Sequence, residues 1–268
     1  MILGTAWKKI LMRSGVALGA VCAFCACVYL SQPVSCGCSN DDLIFQTVLP
    51  VQTQEESNVP QEKVVYLTFD DGPSKVTEQI LDTLKEKNAV ATFFVMADEN
   101  NDKFLPILKR TVAEGHCVAL HTCSHSYKKI YASPEAFWQD INELSEKLTP
   151  YGCGGSMILR FPGGSTNTVS RRYGGSDIMK TLMRQAEEKG YRYVDWNVCA
   201  EDAVGGSKSP ETIYNNIIHD VDKKSTCVVL MHDAKTNQAT ADALPDIIDW
   251  FRNTGFRFDT VEHLEKQI

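Results

Sequence analysis

From Val64 onward the chain alternates between two kinds of pattern. Short apolar runs occur at Val64–Phe69, Ala91–Val95, Val118–Leu120, Ile158–Phe161, Tyr193–Val198 and Cys227–Met231. Between them lie stretches with helical patterning, near Thr77–Lys87, Lys103–Glu114, Pro134–Leu148, Ser176–Lys189, Pro210–Asp220 and Ala241–Asn253, and Phe256–Phe258 reads as a last strand. Ser133 before Pro134 and Ser209 before Pro210 fit an N-cap followed by proline in the first helical turn. Gly115, Gly190 and Gly255 each stand where a helix should stop. Strict β/α alternation calls for parallel strands joined by helical crossovers. About seven such units in roughly 200 residues predict an α/β fold, a distorted (β/α) barrel of about seven parallel strands.

The N-terminal part follows other rules. Lys8, Lys9 and Arg13 precede an unbroken apolar run, Gly15–Leu30. A buried core helix would suit that length, but not the basic flank or the polar tract that follows. Residues 1–30 therefore read as a signal peptide or N-terminal membrane anchor. No A-x-A site follows the run, which favours an uncleaved anchor. No Lys or Arg occurs from Ser31 to Glu62, so the positive-inside rule places the remainder outside. The expected location is the cell membrane, single-pass with the main body outside, or secreted if the segment is cleaved. Residues 31–62 read as a flexible linker and 63–268 as the main domain. The formal net charge of −7 excludes the basic footprint of a nucleic-acid binder. Of the ten cysteines, Cys117, Cys123, Cys153, Cys199 and Cys227 lie in the body, an odd number without a C-x-x-C pair. They read as small buried hydrophobes rather than a disulfide framework.

In parallel α/β folds the chemistry gathers at the C-terminal ends of the strands. There this chain places Asp70-Asp71, His121-Thr-Cys-Ser-His125, Arg160 with Pro162-Gly163-Gly164, Asp195-Trp196-Asn197, and His232-Asp233. Adjacent residues on a strand point to opposite faces, so one acid of the pair can bind a metal while the other serves as a base. Taken alone, Asp-Asp-Gly-Pro is equally a helix cap and a turn. His121 and His125 are four apart, which on a helix or tight loop puts both imidazoles on one side. Two His and a carboxylate make an open Zn²⁺-type site, although isolated histidines at this spacing are also common on surfaces. Arg160 can hold a carboxylate ionised or form an ordinary ion pair. The turn after it can offer backbone N–H groups to an oxyanion or be a plain turn. His232 follows a buried strand and reads as a third ligand, a general acid or a core histidine, with Asp195 able to orient it.

This set resembles the NodB-homology polysaccharide deacetylases, carbohydrate esterase family 4, in their exported, membrane-anchored bacterial form. The likeness spans about Val64 to Phe258 and rests on five ordered motifs: Thr68–Pro73, His121–His125, Arg160–Gly164, Asp195–Asn197 and Leu230–His232. The resemblance implies that Asp71, His121 and His125 hold a divalent metal, Zn²⁺ first, with Co²⁺, Ni²⁺ or Mn²⁺ as alternatives. It implies Asp70 as the base, held by Arg160, and His232 as the acid, tuned by Asp195. Gly163 would offer its N–H to the oxyanion, and Leu230 with Trp196 would form the acetyl pocket. The implied partners are an N-acetylated polysaccharide and, through the N-terminal segment, the membrane. The implied activity is metal-dependent N-deacetylation of a cell-wall polysaccharide, with N-acetylglucosamine or N-acetylmuramic acid of peptidoglycan as target. An O-acetyl esterase on a xylan-like polymer and an inactive polysaccharide-binding surface protein are the alternatives. Two departures stand out. Many relatives carry an aromatic residue where Gly163 stands, which predicts a more open groove. Cys123 sits between the two histidines, where other residues are usual.

Overall fold

A computed structural model describes residues 62–265. The apolar run of 1–30, and the polar tract of 31–62 up to residue 61, lie outside these residues. Eight strands follow in order: β1 (Lys63–Asp70), β2 (Ala91–Val95), β3 (Cys117–Leu120), β4 (Ile158–Leu159), β5 (Arg192–Tyr193), β6 (Val198–Cys199), β7 (Thr226–His232) and β8 (Phe256–Phe258). All pairings are parallel. Seven strands run β5-β4-β3-β2-β1-β7-β6, and β8 pairs with the start of β1.

The connection between β5 and β6 forces this sheet to curl. The two strands sit at opposite edges of the order, which in a flat sheet would lie roughly 29 Å apart. Only residues 194–197 join them, and a chain that short spans at most roughly 17 Å. The edges must therefore face one another, giving a curled, unclosed (β/α) barrel. This corrects the reading of Tyr193–Val198 as one strand. Asp195, Trp196 and Asn197 cross the seam instead. Asn197 makes the crossing regular: its Nδ2 donates to Thr226 O (2.9 Å) and its Oδ1 accepts from Val228 N (2.8 Å), so its amide takes a ladder position against β7.

The major helices are α1 (Lys75–Glu86), α2 (Leu108–Ala113), α4 (Pro134–Leu148), α6 (Ile178–Glu188), α7 (Pro210–Val221) and α8 (Gln238–Asn253), with single turns α3 (Tyr127–Ile130) and α5 (Arg171–Gly174). Ser133 and Ser209 cap α4 and α7 by accepting from Ala136 N and Thr212 N. Ser74 caps α1 in a reciprocal box with Thr77. The helix expected over Lys103–Glu114 is a 3₁₀ segment, Asp102–Ile107, that leads into α2. Pro106 lies inside that segment, where it supplies no N–H to an α-helical ladder.

Strand alternation sorts the core into two layers. Val65, Leu67 and Phe69 of β1 face outward, where they join Ile80, Leu81 and Leu84 of α1 and Ile247, Ile248 and Phe251 of α8 in one buried cluster. Each such side chain contributes about 1.5–3 kcal/mol by burial. Val64 and Tyr66 face inward with Phe94, Ala119 and Val228. Val261 and Leu264 close the N-terminal end of this inner cluster, held by Arg192, whose Nη1 donates to Leu264 O at 2.6 Å. The five body cysteines are free thiols, and all but half-buried Cys199 are buried. Among the described residues no helix is long and apolar enough to cross a membrane.

Candidate active site

The inward parity that builds the inner core also builds the site. On β1 the inward series Val64, Tyr66, Thr68 ends at Asp70. His121 follows β3, Arg160 follows β4 and His232 ends β7. Each therefore emerges at the C-terminal mouth of the barrel.

Arg160 is fully buried and ties the mouth together. Its Nη1 donates to Asp70 Oδ1 (2.7 Å) and Thr68 Oγ1 (2.8 Å), Nε to Val194 O (2.9 Å), and Nη2 to Asp195 O (3.0 Å). One guanidinium thus fixes the carboxylate at the end of β1 and the backbone of the seam. Burial raises the Asp70 carboxyl above the usual carboxylate range, against the lowering pull of Arg160.

Alternation alone would turn Asp71 away from Asp70. Asp71 instead has φ of 71°, which swings its carboxylate back over the mouth. Its Oδ1 lies 3.3 Å from His125 Nε2 and 3.5 Å from His121 Nε2. The loop carrying the histidines bends through positive φ at Thr122 (73°) and His125 (48°), a conformation that costs on the order of 1–3 kcal/mol per residue. Buried Asp140 on α4 offsets that cost. It accepts from Cys123 N (2.6 Å), Ser124 N (3.0 Å) and Ser124 Oγ (2.7 Å) and pairs with Lys129 (2.9 Å). Cys123 points away from the histidines, its Sγ donating to Ala97 O.

Asp71, His121 and His125 form a candidate metal-binding triad, with donor atoms within 4.8 Å of one another. Two observations fit a divalent cation there. Asp71 Oδ1 is buried and has no hydrogen-bond partner. His121 Nδ1 lies 2.9 Å from Arg160 O, which can only accept, so Nδ1 carries the proton and Nε2 presents its lone pair to Asp71. Burial pushes the His121 pKa down to about 3, which keeps the ring neutral, as a ligand must be.

His232 stands across the mouth. Its partner is not Asp195 but Asp202, just beyond β6. Asp202 Oδ1 accepts from His232 Nδ1 (2.8 Å), while Oδ2 accepts from His232 N (2.8 Å) and Thr240 Oγ1 (2.7 Å). Burial disfavours the imidazolium, but the hydrogen bond and charge of Asp202, joined by Asp70 and Asp71, outweigh it and lift the pKa to about 9. Asp195 instead accepts from Ser165 N (2.9 Å) and Ser165 Oγ, which ties the seam to the turn after Arg160. The assignment to Asp195 followed from reading Tyr193–Val198 as one strand. Once β6 is seen to end at Cys199, the acid three residues on is Asp202.

The turn after Arg160 closes with Gly164 N donating to Phe161 O (2.7 Å), and Gly163 takes φ of 79°. Tyr131 Oη donates to Pro162 O (2.7 Å) and holds the turn in place. Leu230, buried, occupies the inward position two before His232 on β7, and half-buried Trp196 packs against the inner cluster that holds Tyr66 and Phe94.

Residues 57–194 match the profile of the family described as Polysaccharide deacetylase. A peptidoglycan-N-acetylglucosamine deacetylase of Bacillus cereus is 30% identical over 207 residues, covering 75% of this chain and 70% of its own. A peptidoglycan-N-acetylmuramic acid deacetylase of Bacillus subtilis is 31% identical over 217 residues, covering 80% of this chain and 41% of its own. The crystal structure of the catalytic domain of peptidoglycan N-acetylglucosamine deacetylase from Eubacterium rectale superposes with a TM-score of 0.72 at 36% identity, covering 78% of this chain and 92% of that one. With the curled barrel and the residues gathered at its mouth, these likenesses place the chain in the polysaccharide deacetylase family, carbohydrate esterase family 4.

Proposed function

We propose that this protein is a metal-dependent N-deacetylase of peptidoglycan, acting on N-acetylglucosamine or N-acetylmuramic acid outside the cell from an N-terminal anchor. The observation that carries the reading is the pairing of two differently tuned groups across the triad: Asp70 held by Arg160, and His232 backed by Asp202.

Hydrolysis of an acetamide needs a base for the attacking water and an acid for the departing amine. Asp70 is placed to take the proton as water adds to the carbonyl carbon. The negative charge that forms on the carbonyl oxygen meets the N–H of Gly163. His232, kept protonated by Asp202, gives its proton to the nitrogen as the C–N bond breaks. Acetate and a free amine result. Asp71, His121 and His125 would hold the metal, with Zn²⁺ as the first candidate for this donor set. Such an ion supplies carbonyl polarisation and a more acidic water. Leu230 and Trp196 would receive the acetyl methyl.

A groove of about 560 Å³ leads away from Asp71 and His125 between the loops that carry Asn101 and Lys235. It is open to solvent and mixed in character: Met96 and Phe104 give it apolar walls, while Lys75, Lys103 and Lys235 and the acids Asp71, Asp98 and Glu99 line it with both signs of charge. Apolar and polar surface side by side suits a sugar ring, with its C–H face and hydroxyl rim.

The test is acetate release by the full chain from N-acetylated peptidoglycan, with added Zn²⁺ and after chelation. Metal-dependent acetate is the expected result. Acetate from acetylated xylan alone would replace the proposal with an O-acetyl esterase.

A further inference from the structure

Gly163 leaves a gap that another residue fills. A side chain at position 163 would collide with the hydroxyl of Tyr127 and press on Asn167 Cβ at 3.2 Å. Position 163 also has φ of 79°, which disfavours any residue with a Cβ. The wall of the site on this side is therefore built by the ring of Tyr127, which arrives from a different element.

The ring is held firmly. It packs edge-on against His125 of the triad, centroids 5.9 Å apart, and edge-on against Tyr131 at 5.3 Å. Tyr131 is fully buried and also fixes the turn that carries Gly163. Asn167 Nδ2 holds the same turn from the other side by donating to Gly164 O (2.9 Å). Tyr127 and Gly163 thus belong to one unit with a shared support. Tyr127 itself is only half-buried, and its hydroxyl has no hydrogen-bond partner among the described residues. A rigid aromatic face and a phenolic hydroxyl thus lie beside Gly163, whose N–H is the proposed donor to the oxyanion. Sugar rings offer an apolar C–H face and hydroxyl acceptors, the two features this pairing can bind.

We propose that Tyr127 contacts the sugar bearing the acetamido group, and so determines specificity for a glycan over a simple acetyl compound. This rests on the deacetylase reading above and goes beyond it. The contact sets the orientation of the ring against the metal triad, and truncated substrates that lack the ring gain nothing from it.

The experiment compares wild type, Tyr127→Phe and Tyr127→Ala in the full chain with Zn²⁺. Two substrates are used, an N-acetylglucosamine oligosaccharide and p-nitrophenyl acetate, with bound metal quantified for each variant. The expected result is a loss in kcat/KM on the oligosaccharide of about 10–100-fold for Tyr127→Ala and several-fold for Tyr127→Phe. The loss on p-nitrophenyl acetate should be at least about tenfold smaller than that on the oligosaccharide for Tyr127→Ala, with bound metal retained. Unchanged kcat/KM on the oligosaccharide in both variants would overturn the proposal and leave the deacetylase reading standing. Equal losses on both substrates would assign Tyr127 a structural role and also overturn it. A wild type that hydrolyses the ester but releases acetate neither from the oligosaccharide nor from N-acetylated peptidoglycan would overturn both readings together.

Discussion

An imidazole that must deliver a proton at neutral pH has to resist losing it first, and burial alone works the wrong way for His232. Asp202 reverses the balance. As the proposed acid, His232 acts when protonated, so turnover should persist up to about pH 9 and fall above it. In Asp202→Asn the opposing charge is lost and burial remains. The alkaline limb of the kcat profile should move down by about two pH units, with about tenfold less turnover at pH 8. A limb that stays in place would remove Asp202 from this role. Asp70→Asn keeps the shape of its partner but cannot accept a proton. It should retain metal, read by elemental analysis, and lose about 10²–10⁴-fold in kcat. At this scale Asp70, Asp71, His121, His125, Arg160 and His232 were legible because each ends or follows an apolar run. Asp202 was not, because the strand it follows is two residues long and merges in sequence with the seam.

Elements were legible wherever apolar pattern and punctuation agree. The β1, β2, β3 and β7 runs, the proline-led α4 and α7, and the glycines after α2, α6 and α8 all carried clear signals. The split between β5 and β6 carried none. Val194 and Val198 are both buried, so the run reads as continuous, although its two ends pair with opposite edges of the sheet. What distinguishes the seam is its polar bonding: Asn197 against β7 and the Val194 and Asp195 carbonyls on Arg160. Asn197→Ala would leave Thr226 O and Val228 N without their partner. We expect a loss of about 1–3 kcal/mol in unfolding free energy, measured by urea titration. A loss near zero would mean that the seam is held by Arg160 alone. Single turns such as α3 were invisible in sequence, since four residues carry no periodicity, and with α3 the position of Tyr127 was hidden too.

At the scale of the whole molecule the barrel was predictable from the count and alternation of its units, and its incompleteness was not. Seven strands in sequence do not say whether the sheet closes; β5 and β6, the two ends of the order, pair with β4 and β7 and not with one another, which leaves it open. The triad draws on the end of β1 and the loop after β3, so a bound cation would link elements distant in sequence. Any ligand that binds only the folded state raises stability. Added Zn²⁺ should therefore raise Tm, by about 2.7 kcal/mol in free energy at a hundredfold excess over Kd. Chelation should reverse the rise and His125→Ala should abolish it. A Tm in wild type that ignores Zn²⁺ would remove the triad as a metal site.

The direction of β1 has a consequence for reach. The chain enters the body at Lys63 and arrives at the site at Asp70, about 23 Å further along an extended strand. Lys63 therefore marks the pole of the body opposite the catalytic mouth. A bead or surface coupled to the body at that pole would hold the enzyme by its back, with the mouth facing away from the support and free for a polymer to enter.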